Sequence, residues 1–274
     1  MTEQIIDEDA ALKAKHRAMW ELGNYAAVAA EIIPELGTTL VEACDVRPGV
    51  RVLDVAAGTG NAAIPAALTG ASVMATDLAP ELLEIGKKIA ADRGATLKWV
   101  EADAENMPCF DGEYDIVMSS VGVMFAPHHQ AAADELVRVV RPGGTIGNIA
   151  WTPEGFIGQM FAAMKPYAPP PPPGAQPPPL WGDESHVRKL LGDRVTDVRA
   201  ERRSVVVDDF AGPSEFREYF KKNYGPTIAV YKFISEDPER VAALDAALDD
   251  LAKRFTESDG TMKWEYLLFT ATKS

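Results

Sequence analysis

The segment Val52-Leu53-Asp54-Val55-Ala56-Ala57-Gly58-Thr59-Gly60-Asn61 constrains this chain more than any other stretch. An apolar, β-rich run breaks at two closely spaced glycines and continues into a helical pattern, as a strand does when it turns sharply into a helix. The same grammar recurs downstream. Strand candidates at 50–56, 71–76, 96–101, 114–120 and 145–151 alternate with helix candidates at 61–68, 80–92 and 128–140. Short loops between them imply βαβ units and a parallel sheet. VRVLDVA and YDIVMSS are apolar on both faces, as strands buried between two helix layers should be. The fold class is α/β, a doubly wound, Rossmann-like sheet.

Outside residues 46–152 the rhythm differs. Residues 8–45 carry helical periodicity, with His16 and Trp20 on one face, and Pro34 is expected to divide the later part into two short helices. After Trp151 the prolines of 169–179 predict a stiff polyproline strap. Strands are expected at 198–207 and 263–272. Between them lie an aromatic stripe (Phe216, Tyr219, Phe220, Tyr224) and a helix opened by Asp237-Pro238. The apolar seam of that helix, Val241 to Phe255, must bury against this sheet or a second subunit. This gives an N-terminal helical lid (1–45), a core (46–152) and cap segments plus two strands (153–274). The net charge of −14 repels phosphate backbones and anionic lipid, so neither nucleic acid nor membrane is an expected partner. Two cysteines, an acidic N-terminus and no long apolar run point to a reduced, cytoplasmic chain without a metal site.

The chemistry concentrates at the carboxyl ends of the first three strands. Gly58 and Gly60 let backbone approach a ligand closely. The string Gly58-x-Gly60-x-x-Ala63 also fits a dinucleotide fingerprint, so the glycines alone do not name the cofactor. Asp77 ends the second strand, where a carboxylate accepts hydrogen bonds from ribose hydroxyls, or caps the helix that follows. Asp54, close to the crevice, needs a cationic or donor partner. An ammonium serves and a pyrophosphate does not. With the acidic run Glu101-Ala102-Asp103-Ala104-Glu105, these residues favour a cationic adenosyl ligand.

VLDVAAGTGNAA, TDLAPELLEIG, EADAENMPCFDGEYDIVMSS and ELVRVVRPGGTIGNIAW together resemble the successive motifs of class I S-adenosylmethionine-dependent methyltransferases. They are most similar to the small-molecule branch that includes ubiquinone- and menaquinone-biosynthesis enzymes. The resemblance implies a seven-stranded sheet with antiparallel sixth and seventh strands, a helical cap and S-adenosyl-L-methionine as cofactor. It assigns Asp54 and the loop Ala56, Ala57, Gly58, Thr59, Gly60 and Asn61 to the methionyl part. Asp77 and Leu78 are assigned to the ribose, Asp103 and Ala104 to the adenine, and Ser119 and Ser120 to the floor. One departure stands out: Ala56 occupies the place of the family's first loop glycine. His128 or His129, just beyond the fourth strand, is the expected general base, with His16 a weaker candidate. Trp20, Tyr25, Phe125, Tyr219 and Tyr224 are expected to meet a small organic acceptor, aromatic or polyketide-like, in a monomer or homodimer. An NAD-dependent oxidoreductase and a non-methylating S-adenosylmethionine-binding protein are the rival readings.

Overall fold

The computed structural model describes residues 3–274, with side-chain surroundings from Asp9 onward. Met1 and Thr2, which begin the acidic stretch and the expected lid, lie outside the described residues. Seven strands form one sheet: β1 (Arg51–Val55), β2 (Ser72–Asp77), β3 (Lys98–Glu101), β4 (Tyr114–Ser120), β5 (Val140–Trp151), β6 (Val195–Val207) and β7 (Met262–Lys273). Their order is β3-β2-β1-β4-β5-β7-β6. The first five are parallel, and β7 runs antiparallel to both β5 and β6. Two antiparallel pairings in succession leave β6 parallel to β5. β6 and β7 pair antiparallel to each other and β7 alone is reversed in the sheet, the antiparallel last strand that was expected. The chain winds from β1 outward to β3 and then returns to β4, so the crevice where order reverses opens between the carboxyl ends of β1 and β4.

Helices cover the sheet where the apolar periodicity placed them: α4 (Ala63–Leu68), α5 (Pro80–Asp92) and α6 (His129–Val139). The first of these starts two residues later than expected, at Ala63. β5 begins at Val140, before the expected Thr145, because Val140 already pairs with Tyr114. The N-terminal segment is more broken than its periodicity suggested. Helix α1 (Glu3–Trp20) precedes a tight break, where Gly23 (φ 75°) lies against Asn223. A short α2 (Tyr25–Ala27) runs into a π turn at Val28–Ile32, and Pro34 caps α3 (Glu35–Ala43).

Residues 168–177 form neither helix nor strand, as prolines require, and a 3₁₀ turn follows at Pro178–Gly182. The Gln176 amide pins the strap to the Pro127 carbonyl (3.0 Å). The cap comprises α7 (Phe156–Met164), α8 (Glu184–Leu191), α9 (Pro213–Asn223), α10 (Gly225–Phe233) and α11 (Pro238–Phe255). The α11 seam is satisfied within the chain: Leu244, Leu248 and Leu251 are fully buried, and the helix packs on α7 and α9. Phe216 and Phe220 are likewise core, their rings 6.3 and 5.8 Å from that of Trp264. Each such side chain contributes roughly 1.5–3 kcal/mol through burial.

Candidate active site

The glycine loop leaves β1 through a left-handed turn, with Ala56 at φ 53°, Gly58 at 56° and Gly60 at 86°. The Gly58 amide donates to Asp77 Oδ2 (2.7 Å) and the Ala57 amide to the Thr76 carbonyl (2.9 Å), tying the loop to β2. A Cβ on Gly60 would strike Trp99 at 2.7 Å, so glycine is required there. A side chain in Ala56's conformation costs about 1–2 kcal/mol. Its methyl is accommodated because Gly122, opposite, has none: a Cβ on Gly122 would lie 2.9 Å from that of Ala56. Val121, next to Gly122, also has positive φ (54°), an outlying conformation for a β-branched residue. Such strain collects where a site demands a particular backbone.

Two carboxylates, Asp77 and Asp103, line the crevice, and a third, Asp54, lies buried nearby. Asp77 is buried, with Oδ1 accepting from the Ala79 amide (2.8 Å) and Oδ2 from Gly58. Burial raises its pKa, and the amides of Ala79, Gly58 and Leu78 pull it back. Asp54 is 1% exposed, and neither oxygen has a geometrically complete hydrogen bond. Burial pushes its pKa up to about 8, aided by the Asp77 charge and opposed by the Ala63 amide. Ser120 Oγ is also buried without a partner. Asp54 pairs in register with Met118, and Ser120 stands two residues further on, so both lie on one face of the sheet. Asp103 accepts from the Glu105 amide (2.9 Å) and from Lys13 on α1.

These elements line a pocket that stays partly open to solvent, the concave kind of place where small molecules bind. Gly58, Asp77, Leu78, Asp103 and Ala104 line one wall, and Lys13, His16 and Trp20 roof it from α1. Lys13 joins roof to wall by ion pairs to Asp103, Asp9 (3.0 Å) and Glu105 (3.0 Å). Burial alone would lower its pKa, but these three carboxylates hold it above the ordinary value.

Residues 52–144 match the family profile of a methyltransferase domain. An uncharacterized protein of Mycobacterium tuberculosis (strain H37Rv) is 53% identical over 266 residues, 97% of each chain. The demethylmenaquinone methyltransferase of Paenarthrobacter aurescens is 36% identical over 107 residues, 39% of this chain and 41% of its own. The chain carries a methyltransferase domain of the class I kind. The YcgJ protein of Bacillus subtilis has the same fold, with a TM-score of 0.62 at 16% identity over 87% of this chain and 98% of its own. The dinucleotide reading falls with this domain.

Within this methyltransferase, the histidines are not where their sequence neighbourhood suggested. His129 is fully buried on the core face of α6, its Nδ1 3.0 Å from Nε2 of His186 and its ring packed on Trp181. Burial, and then His186, depress its pKa to about 4. His128 sits outside the cavity lining. Its Nδ1 lies 2.9 Å from Glu105, whose other oxygen accepts the His128 amide (2.7 Å). Asp9, Glu105 and His128 form a cluster of metal-ligand type, but Lys13 Nζ already bridges its two carboxylates. The histidine that lines the cavity is His16, its pKa lowered by burial. Helical spacing from His16 to Trp20 was the available signal.

Trp20, Tyr25 and Phe125 also line the cavity. Tyr224 lines a smaller adjoining chamber. Tyr219 reaches neither. Its hydroxyl donates to Glu31 (2.6 Å), because its position on α9 turns it away from Phe220 and the core. Ser119 is structural, donating to the Val55 carbonyl (2.7 Å) and accepting from the Val123 amide (2.8 Å). Sequence reasoning missed Lys13, Val121 and Gly122, whose parts arise from contacts between distant segments.

Proposed function

We propose that this chain binds S-adenosylmethionine beneath α1 and transfers its methyl group to a small organic acceptor. The observation that carries the reading is Asp54: a buried, unpartnered carboxylate beneath a glycine loop, beside Asp77, fits a ligand bearing both an ammonium and a ribose. The Asp54 and Ser120 groups would hold the amino acid end, Asp77 the ribose, and Asp103 with the Ala104 amide the adenine. Asp103 is also held by Lys13, so adenine would share that carboxylate with the roof helix. When bound, the sulfonium supplies an already activated methyl electrophile. The protein's tasks are then alignment and exclusion of water.

Trp20, Tyr25 and Phe125 interlock edge-to-face, with Trp20 5.3 Å from Tyr25 and 4.7 Å from Phe125, and would provide that dry enclosure. His128 and His129 are poorly placed as bases. His16 reaches the cavity, but among the charged groups Glu105, His128 and Lys13. The arrangement therefore suits an acceptor that attacks without a protein base. The acidic surface supports a small-molecule acceptor rather than nucleic acid, and among the described residues no helix is long and apolar enough to cross a membrane. Calorimetric titration with S-adenosylmethionine, S-adenosylhomocysteine and NADH tests the reading. Micromolar binding of the two adenosyl sulfur compounds, without NADH, is expected. Failure of both to bind overturns it.

A further inference from the structure

Asp54, Ala75 and Trp99 stand in one row across β1, β2 and β3, because Asp54 pairs in register with Ala75 and Ala75 with Trp99. Partners in register share a face of the sheet, so the Trp99 indole lies on the face that carries the unpartnered carboxylate. Over that face the glycine loop crosses into α4. The benzo edge of the indole supports the loop there, since a Cβ on Gly60 would come within 2.7 Å of Trp99 Cη2. The same edge fits a notch in α5, where a Cβ on Gly86 would lie 2.6 Å from both Cη2 and Cζ3. That Cβ would also lie 2.9 Å from the Thr59 carbonyl oxygen, so loop, helix and ring meet at one junction. Glycine weakens a helix interior, yet Gly86 is buried in the middle of α5. Close approach of ring and loop is what that position requires.

We infer that Trp99 is a positioning residue for the ligand's amino acid end: its indole holds the Thr59–Gly60 turn in the shape that receives that end. The inference rests on the methyltransferase reading above and adds a residue to it. Trp99 does not line the cavity itself, so it acts through the loop. The loop's ties to β2 come from Ala57 and Gly58. Beyond them the Gly60 amide bonds within the loop, to the Ala57 carbonyl (2.8 Å), and the turn's seat on β3 is the indole. Without the benzo ring the turn is free to sample other shapes, and a ligand that grips it must then order it on binding. A ligand that stops at the sulfur does not bear that cost.

The test is calorimetric titration of the full chain with S-adenosylhomocysteine and with methylthioadenosine, which keeps the adenosine and sulfur but has no amino acid end. Trp99→Phe keeps an aromatic ring on β3 and withdraws its far edge. It should weaken S-adenosylhomocysteine at least fivefold and methylthioadenosine less than twofold. Gly86→Ala reaches the junction from the other side and decides the matter should Trp99→Phe fail to fold. Alanine favours the helix, but its methyl is driven against the intact indole and the Thr59 carbonyl. It should show the same split, at least threefold against less than twofold. Equal weakening of both ligands marks a merely structural role and overturns the inference. Unchanged S-adenosylhomocysteine affinity in the folded variants overturns it alone. Binding of neither ligand by the unaltered chain overturns the methyltransferase reading as well.

Discussion

Asp54 is buried beneath the glycine loop without a complete hydrogen bond, and its pKa of about 8 keeps it mostly protonated at neutral pH. A ligand ammonium placed against it favours the ionised form. Binding of S-adenosylhomocysteine should therefore expel a proton. With a pKa of about 8, roughly 0.9 of the sites are protonated at pH 7 and roughly 0.1 at pH 9. Titrations in buffers of different ionisation enthalpy should report a release of about 0.9 proton at pH 7, falling to about 0.1 at pH 9. Asp54→Asn, which cannot ionise, should release none. The same group acts on folding with a definite sign. The unfolded chain loses this proton near pH 3.8 and the folded chain only near 8, so Asp54 destabilises the ligand-free fold increasingly as pH rises between those values. The melting temperature of Asp54→Asn relative to the unaltered chain should accordingly climb from pH 4 to pH 8 and then level off. Tight ligand binding with no buffer dependence at pH 7 would refute the reasoning, because the carboxylate would then be ionised or far from the ammonium.

Asp77→Ala should weaken S-adenosylhomocysteine roughly 10- to 100-fold in calorimetry, since a hydrogen bond to a charged acceptor contributes about 1.5–3 kcal/mol. Ala56→Gly relieves about 1–2 kcal/mol of backbone strain and adds about 0.5–1 kcal/mol of chain entropy cost. Urea unfolding should thus show it neutral to slightly stabilised, whereas Gly122→Ala, driven into Ala56, should lose at least about 1 kcal/mol. His129→Ala should cost about 2–3 kcal/mol through the cavity it leaves and keep ligand affinity within twofold. In the unaltered chain His129 is neutral down to about pH 4 while the unfolded histidine charges near 6.5, so stability contributed there is lost as pH falls through that window. The variant's denaturation profile should lack that acid limb.

The glycine-loop wall of the cavity was legible because its determinants are local. A strand end, a glycine turn and an acid closing the next strand recur within thirty residues, and the parallel sheet holds successive strand ends at one edge. Residue spacing thereby maps onto space almost directly. Helix faces do not translate so simply. His128 and His129 share a neighbourhood, but one turn of α6 sends His129 into the core and leaves His128 on Glu105. Tyr219 and Phe220 diverge from α9 in the same way. Strand direction was harder still, because the direction of β6 depends on β7, nearly sixty residues away, inserting between it and β5. The small chamber beside the main cavity is the extreme case. Val28, Trp151, Phe220 and Trp264 meet only after the sheet has closed, and each reads in sequence as an ordinary core residue. One of them, Trp264, also keeps its indole Nε1 buried without a partner, and hydrogen-bond satisfaction is a property of the assembled fold rather than of any segment.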